Sequence, residues 1–214
     1  SAALGWGITS SYADDQDVYI EELNPDNTEE YRTPDGFKKF TKRASIITVK
    51  DADPITLTLR WTDNGPVLPG SHYNLAAITP AGHVAALNWT ALSPADTSIS
   101  AALKLMEAKT VNEAIAAGEA YIAPSQNLTL VDVDTIALKT IGALPARDPG
   151  HQSQGRMPTP GWIPQNRWKG ILPYADNPEF VAPRGGIIGN TNNKTVDRPF
   201  PEHVSFLWGN TQRI

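Results

Sequence analysis

Apolar and polar positions alternate over short stretches in the first half of the chain, and the period of two predicts strands at residues 4–9, 18–23, 55–61 and 84–89. The β-branched run 46–49 and the run 55–61 flank Asp51-Ala52-Asp53-Pro54, which predicts a hairpin. Asn24-Pro25-Asp26-Asn27 and Asn64-Gly65-Pro66 read as turns. The period then changes. Ile99, Ala102, Leu103 and Met106 fall at i, i+3, i+4 and i+7, one apolar stripe of a helix. Thr110-Val111-Asn112-Glu113 matches a capping box and opens a second helix that runs to about Tyr121. Strand character returns at 127–133 and 135–141. From Leu144 onward the texture is irregular: ten of the eighteen prolines lie there, with Trp162, Trp168 and Trp208. Such a stretch is expected to wrap over another surface. The sum is α+β and strand-rich, with a helical insert over about 98–122 and an irregular wrapping segment over about 144–184. The expectation for 1–214 is a single partial domain.

Composition narrows the function classes. A net charge of −5 argues against a nucleic-acid binder, which carries a basic face. No apolar run reaches the length of a membrane-spanning helix. Without cysteine, thiolate catalysis, disulfides and zinc–thiolate sites are excluded. The four histidines, His72, His83, His151 and His203, form no HExxH pair.

Several short constellations carry candidate chemistry beside a plain structural reading. Apolar residues of strand character in Gly185-Gly186-Ile187-Ile188 run into Gly189-Asn190-Thr191-Asn192-Asn193-Lys194. Asn is depleted in strands and enriched in turns, so the cluster is either a polar turn or an amide aimed at a carbonyl oxygen, half of an oxyanion hole. In Trp6-Gly7-Ile8-Thr9-Ser10-Ser11-Tyr12, small residues after a strand let a backbone N–H approach a ligand, or simply end the strand in a polar loop. Asp14, Gln16 and Asp17 suit a hard cation such as calcium, or form a solvated acidic turn. Asp132 and Asp134 read as an exposed strand face. Arg213 could orient a nearby Asn amide, or is a surface arginine.

The motifs follow one another in a distinctive order: Trp6-Gly7-x-Thr9, Asp14-Asp15-x-Asp17, Asn88-Trp89-Thr90, Pro124-Ser125-Gln126-Asn127, Arg156-x-Pro158-x-Pro160-Gly161, Trp168-x-Gly170-x-Leu172-Pro173, Gly189-Asn190-x-Asn192-Asn193, and Phe206-Leu207-Trp208-Gly209 before Arg213. In that order and spacing the chain resembles, nearly end to end, the penicillin acylase (penicillin amidase) family of N-terminal nucleophile hydrolases. The resemblance implies a fragment of an αββα sandwich, cut from one precursor and partnered by an α chain and the remainder of the β chain. It implies that an N-terminal Ser attacks an amide carbonyl with its own α-amine as base, and that the acyl-enzyme is then hydrolysed. The substrate class is a small-molecule amide: a penicillin, a cephalosporin side chain or an N-acyl homoserine lactone.

Carried residue by residue, the resemblance implies oxyanion donors at the N–H of Ser10 and the side chain of Asn192, with Arg213 supporting the Asn. Ile8, Tyr12, Trp89 and Gln126 match positions near the acyl group. A calcium ion is implied at Asp14, the carbonyl of Gln16, Asp17, the carbonyl of Gly155 and Glu202, with a further carboxylate from the α chain. Glu202 stands where the family has Asp. A periplasmic or secreted location is implied as well. Ser1 is not read as the nucleophile, because Trp6 follows it by five residues where the family places the Trp-Gly strand roughly sixty residues on. The chain is therefore expected to be a β-chain fragment without acylase activity by itself. The alternative is a non-catalytic, calcium-dependent binding or scaffold module.

Overall fold

The computed structural model describes residues 3–196, 204 and 205. In chain order the strands are β1 (Gly5–Ser10), β2 (Gln16–Asn24), β3 (Asn27–Thr33), β4 (Gly36–Lys39), β5 (Thr41–Ile47), β6 (Ile55–Thr62), β7 (Gly65–Leu68), β8 (His83–Trp89), β9 (Gln126–Val131), β10 (Ile136–Ile141), β11 (Pro145–Arg147), β12 (Thr159–Pro160), β13 (Trp168–Ile171) and β14 (Glu179–Val181). The helices are α1 (Ser98–Glu107) and α2 (Val111–Gly118). The chain divides into two compact units. The first comprises residues 1–15, 90–146 and 169–214; the second comprises 16–89 and 147–168.

The first unit is built on an antiparallel sheet in the order β1-β9-β10-β14. Its strands alternate, so one face carries Leu128, Leu130, Ala137 and Ile141, and α1 and α2 close that face with Leu105, Ala108, Val111 and Ala114. The close approach requires small residues: a Cβ at Gly118 would lie 2.6 Å from the Tyr174 hydroxyl and 2.7 Å from Ile141 Cγ2. The Thr110 N-cap forms, while the reciprocal bond of the box shifts by one residue to Lys109. Thr110 Oγ1 accepts the N–H of Glu113 and the Glu113 carboxylate accepts the N–H of Lys109. Asp132 belongs to the turn between β9 and β10, not to a strand face. Its carboxylate accepts the N–H groups of Asp134 and Thr135 and, at 2.8 Å, that of Val111 at the start of α2.

The predicted stripe of α1 is inverted. Ile99, Leu103 and Met106 are 77%, 58% and 58% exposed, and the buried side is Ser98, Ala101 and Leu105. Helix α1 turns Ser98, Ala101 and Leu105 inward, so the bulky stripe faces outward within this unit.

The second unit is a sheet with strand path β4-β3-β2-β8-β7-β6-β5, and β12 runs parallel beside β2. The hairpin expected at 46–61 is β5–β6, paired from Thr41↔Trp61 to Ile47↔Ile55. The buried face of β2 carries Asp17, Tyr19 and Glu21. A strand can bury such residues only against polar partners; the irregular segment 147–168 supplies them for Asp17 and Tyr19, and Thr62 and Asn64 bond Glu21. Tyr19 donates to the Asn166 carbonyl, Gly161 N–H donates to Ile20, and Asn166 donates to Pro160. Within the second unit, residues 159–160 of this segment run beside β2. Gly161 must be glycine, since a Cβ would meet Glu21 Oε2 at 2.3 Å.

Candidate active site

The site begins with the register of the first unit. Thr140 gives its N–H to Pro178, on the β14 side of the sheet. Thr140 faces Asn127 across β10–β9, so that pair exchanges no ladder bonds and the main-chain groups of Asn127 turn toward β1. There Asn127 faces Thr9, and the next pair, Ser10↔Gln126, is again outside the ladder. Ser10 consequently directs both its N–H and its C=O toward the side of β1 away from β9, where β1 ends the sheet among the described residues.

The asparagine loop meets Ser10 on that side. Asn192 Nδ2 donates to the Ser10 carbonyl at 2.9 Å. Asn192 holds φ 64°, a left-handed conformation that Asn tolerates better than most residues. Its own N–H donates at 2.9 Å to Asn190 Oδ1, and the same oxygen accepts the Thr9 hydroxyl at 2.8 Å. The cluster is thus a turn that also carries an aimed amide. The strand character read into 185–188 is not realised: these residues form a turn and extended chain, with Ile187 85% exposed. Two glycines and neighbouring Pro183 leave no run long enough to pair.

Behind Ser10 lies a buried hydroxyl chain. Ser11 donates to Ser125 at 3.0 Å, and Ser125 donates to the Asp15 carboxylate at 3.1 Å. Ser11 Oγ also accepts the N–H of Ala13. This network fixes the backbone as it leaves β1. Tyr12 stands there at φ 53° and is half exposed.

The structure therefore brings Ser10 and Asn192 together. Arg213 and Glu202 lie outside the described residues, as does Ser1. Among the acyl-group candidates, Ile8 and Gln126 point to the helix-covered face of the sheet, opposite Thr9. Trp89 belongs to the second unit, where it lines a cavity of about 670 Å³ with Leu68, Tyr73, Leu75, Leu87 and Met157. Thr9, Asn190 and the Ser11–Ser125–Asp15 chain had no role assigned from sequence. Thr9 and Asn190 stood inside the quoted motifs, but nothing in the spacing told that they meet.

For calcium, Asp14 lies in the first unit and Gln16, Asp17 and Gly155 in the second. Asp17 is already the counter-ion of Arg147. Arg147 Nη2 reaches Oδ1 at 2.9 Å and Nε reaches Oδ2 at 3.0 Å, while Trp168 Nε1 donates to Oδ2 at 2.5 Å. Buried His151 brings Nε2 to 3.8 Å from Oδ2. Its Nδ1 accepts the N–H groups of Ser153 and Gln154, which places the ring proton on Nε2. Burial lowers the His151 pKa, with the Asp17 charge opposing. Among the described residues no three His, Asp or Glu side chains converge as a metal site. Arg147 and Trp168 thus engage both carboxylate oxygens of Asp17 in this arrangement.

Comparison with known proteins identifies the family and the fold. The profile of the family described as penicillin amidase matches residues 1–214. The penicillin G acylase of Escherichia coli is 30% identical over 220 residues, covering 100% of this chain and 24% of that protein. The acyl-homoserine lactone acylase QuiP of Pseudomonas aeruginosa is 28% identical over 210 residues, covering 96% of this chain and 24% of that protein. Among solved structures, the thermostable penicillin G acylase from Alcaligenes faecalis matches with a TM-score of 0.82 at 22% identity, over 99% of this chain and 36% of that one. The fold is therefore that of a portion of a penicillin acylase. The chain spans about a quarter of the length of the curated relatives it matches.

Proposed function

This chain belongs to the penicillin amidase family of amidohydrolases, and from that premise we propose that it supplies the oxyanion-stabilising part of an N-acyl amide hydrolase. The observation that supports the reading is the meeting of the Asn192 carboxamide with Ser10 at the end of β1. An amide under attack develops negative charge on its carbonyl oxygen. A backbone N–H outside the ladder and a side-chain amide beside it are the donor types that stabilise such charge, and both are set before the reaction begins.

In this reading the nucleophile is an N-terminal Ser supplied by another part of the same precursor, with its α-amine as the base. It adds to the substrate carbonyl. Ser10 N–H and Asn192 Nδ2 hold the tetrahedral oxyanion, the amine leaves, and water releases the acyl group. The protein's own contribution in these residues is electrostatic and positional, and no step runs through a metal. The acyl group can be that of a β-lactam or an N-acyl homoserine lactone, the two substrate types in the names of the relatives. The remainder of the precursor is the proposed partner.

The test uses the complete enzyme with a panel of N-acyl p-nitroanilides, phenylacetyl and straight-chain. Replacing Asn192 with Ala is expected to lower kcat by about 10²–10³ while leaving the melting temperature unchanged. Wild-type turnover in that variant would overturn the reading.

A further inference from the structure

Asn192 does not reach Ser10 by its own rotamer alone. Asn190 Oδ1 accepts two bonds at once, the N–H of Asn192 at 2.9 Å and the hydroxyl of Thr9 at 2.8 Å. A main-chain N–H can only donate, so the atom facing it must be the amide oxygen, and the orientation of Asn190 is fixed by that partner. Thr9 is the residue immediately before Ser10 on β1, and its main chain faces Asn127 in the ladder. Three hydrogen bonds thus close a small frame: Thr9 to Asn190, Asn190 to the backbone of Asn192, and the side chain of Asn192 to the carbonyl of Ser10. The frame spans a sequence separation of 182 residues, with Thr9 one position from Ser10 and Asn190 two positions from Asn192.

We propose that Thr9 and Asn190 are positioning residues for the oxyanion donors, locking the left-handed turn at Asn192 to the strand that carries Ser10. The inference rests on the reading of Asn192 and Ser10 given above. Asn192 at φ 64° occupies a region that is uncommon for residues other than glycine, and such a conformation persists where the surroundings over-determine it. The Asn190 oxygen is the group that does so, by holding the N–H of the strained residue. Thr9 in turn stops Asn190 from rotating. Without the frame the carboxamide still exists but samples other directions. Misplacement of a catalytic group by about 1 Å is enough to lower a rate by about 10²-fold.

The hydroxyl of Thr9 offers a clean perturbation. Thr9→Val is close to isosteric and keeps strand propensity, removing only the donor. Thr9→Ser keeps the donor and removes a methyl group. In the complete enzyme, with N-acyl p-nitroanilides as substrate, Thr9→Val is expected to lower kcat about ten-fold or more at unchanged KM, and Thr9→Ser to hold kcat within a few-fold of wild type. Asn190→Ala is expected to fall further than Thr9→Val, because it removes both bonds. A general structural role would lower the melting temperature of both Thr9 variants without separating their kcat values. Equal kcat for Thr9→Val and Thr9→Ser overturns the proposal, and so does a change confined to KM. Asn192→Ala, assayed in parallel, keeps the two readings apart. If it retains activity, the oxyanion reading itself fails; if it is inactive while Thr9→Val and Asn190→Ala are fully active, only the positioning role fails.

Discussion

Arg147→Met breaks the most buried charge pair of the second unit, and its consequence can be worked from the geometry. The side chains of Arg147 and Asp17 are 2% and 3% exposed, and two parallel hydrogen bonds join them. Two unit charges about 4 Å apart interact by about 4 kcal/mol at an effective dielectric near 20. Removing one partner of such a pair leaves the other buried and uncompensated, which typically costs about 3–5 kcal/mol. Trp168 Nε1 continues to donate to Asp17, and the Nε2–H of His151 lies 3.8 Å away, so the loss belongs near the lower end. We expect Arg147→Met to destabilise the chain by about 3 kcal/mol in urea unfolding at neutral pH. Asp17→Asn in the same background is expected to recover much of it, because the stranded charge is then gone. The second unit should lose its cooperative transition first. A loss below about 1 kcal/mol, the scale of an exposed pair, or a double variant worse than the single one, would refute the assignment of Arg147 as the counter-ion that lets β2 bury a carboxylate.

Other outcomes follow from the same structure. Calcium at millimolar concentration is expected to leave the melting temperature of the chain unchanged, since Arg147 holds Asp17; a rise of several degrees would show that the ion displaces the guanidinium. Burial raises the pKa of Glu21 above 4.5, with the Asn64 and Thr62 bonds opposing. A raised acid favours the protonated folded state, so its stability contribution is full at low pH and is lost as pH rises through the folded value. Melting Glu21→Gln beside wild type should show the balance moving in favour of Gln from about pH 4 to about pH 8; parallel curves would contradict it. Leu103→Glu on the exposed side of α1 should change stability by no more than about 0.5 kcal/mol, whereas a core residue would lose several times that in the same melt.

The elements most legible in the sequence are those whose local pattern and tertiary environment agree. The runs at 55–61 and 127–141 are β-branched, alternate in polarity and are bounded by turns, and they became β6, β9 and β10. The N-cap at Thr110 formed because it needs only residues within one turn. The stripe of α1 was misread because periodicity marks which residues share a face, not which face a neighbour covers. Here Ala101 and Leu105, not Leu103 and Met106, are buried, and Leu105 joins the core beneath the sheet. The acidic spacing around Asp17 is visible locally, whereas its ion pair with Arg147, 130 residues away, is not. Ser10 and Asn192 were named from motif order, and their contact is present. The frame around them was not legible, since a hydroxyl at Thr9 and an amide at Asn190 acquire meaning only when β1 and the loop 189–193 are placed side by side.

The central claim is that Asn192 and Ser10 stabilise the oxyanion of an amide under attack. Single-turnover acylation of the complete enzyme by an N-acyl p-nitroanilide reads that step directly, before hydrolysis and release contribute. Asn192→Ala should slow the release of nitroaniline by about 10²–10³ with the melting temperature unmoved. Acylation at the wild-type rate in a folded Asn192→Ala enzyme would contradict the account.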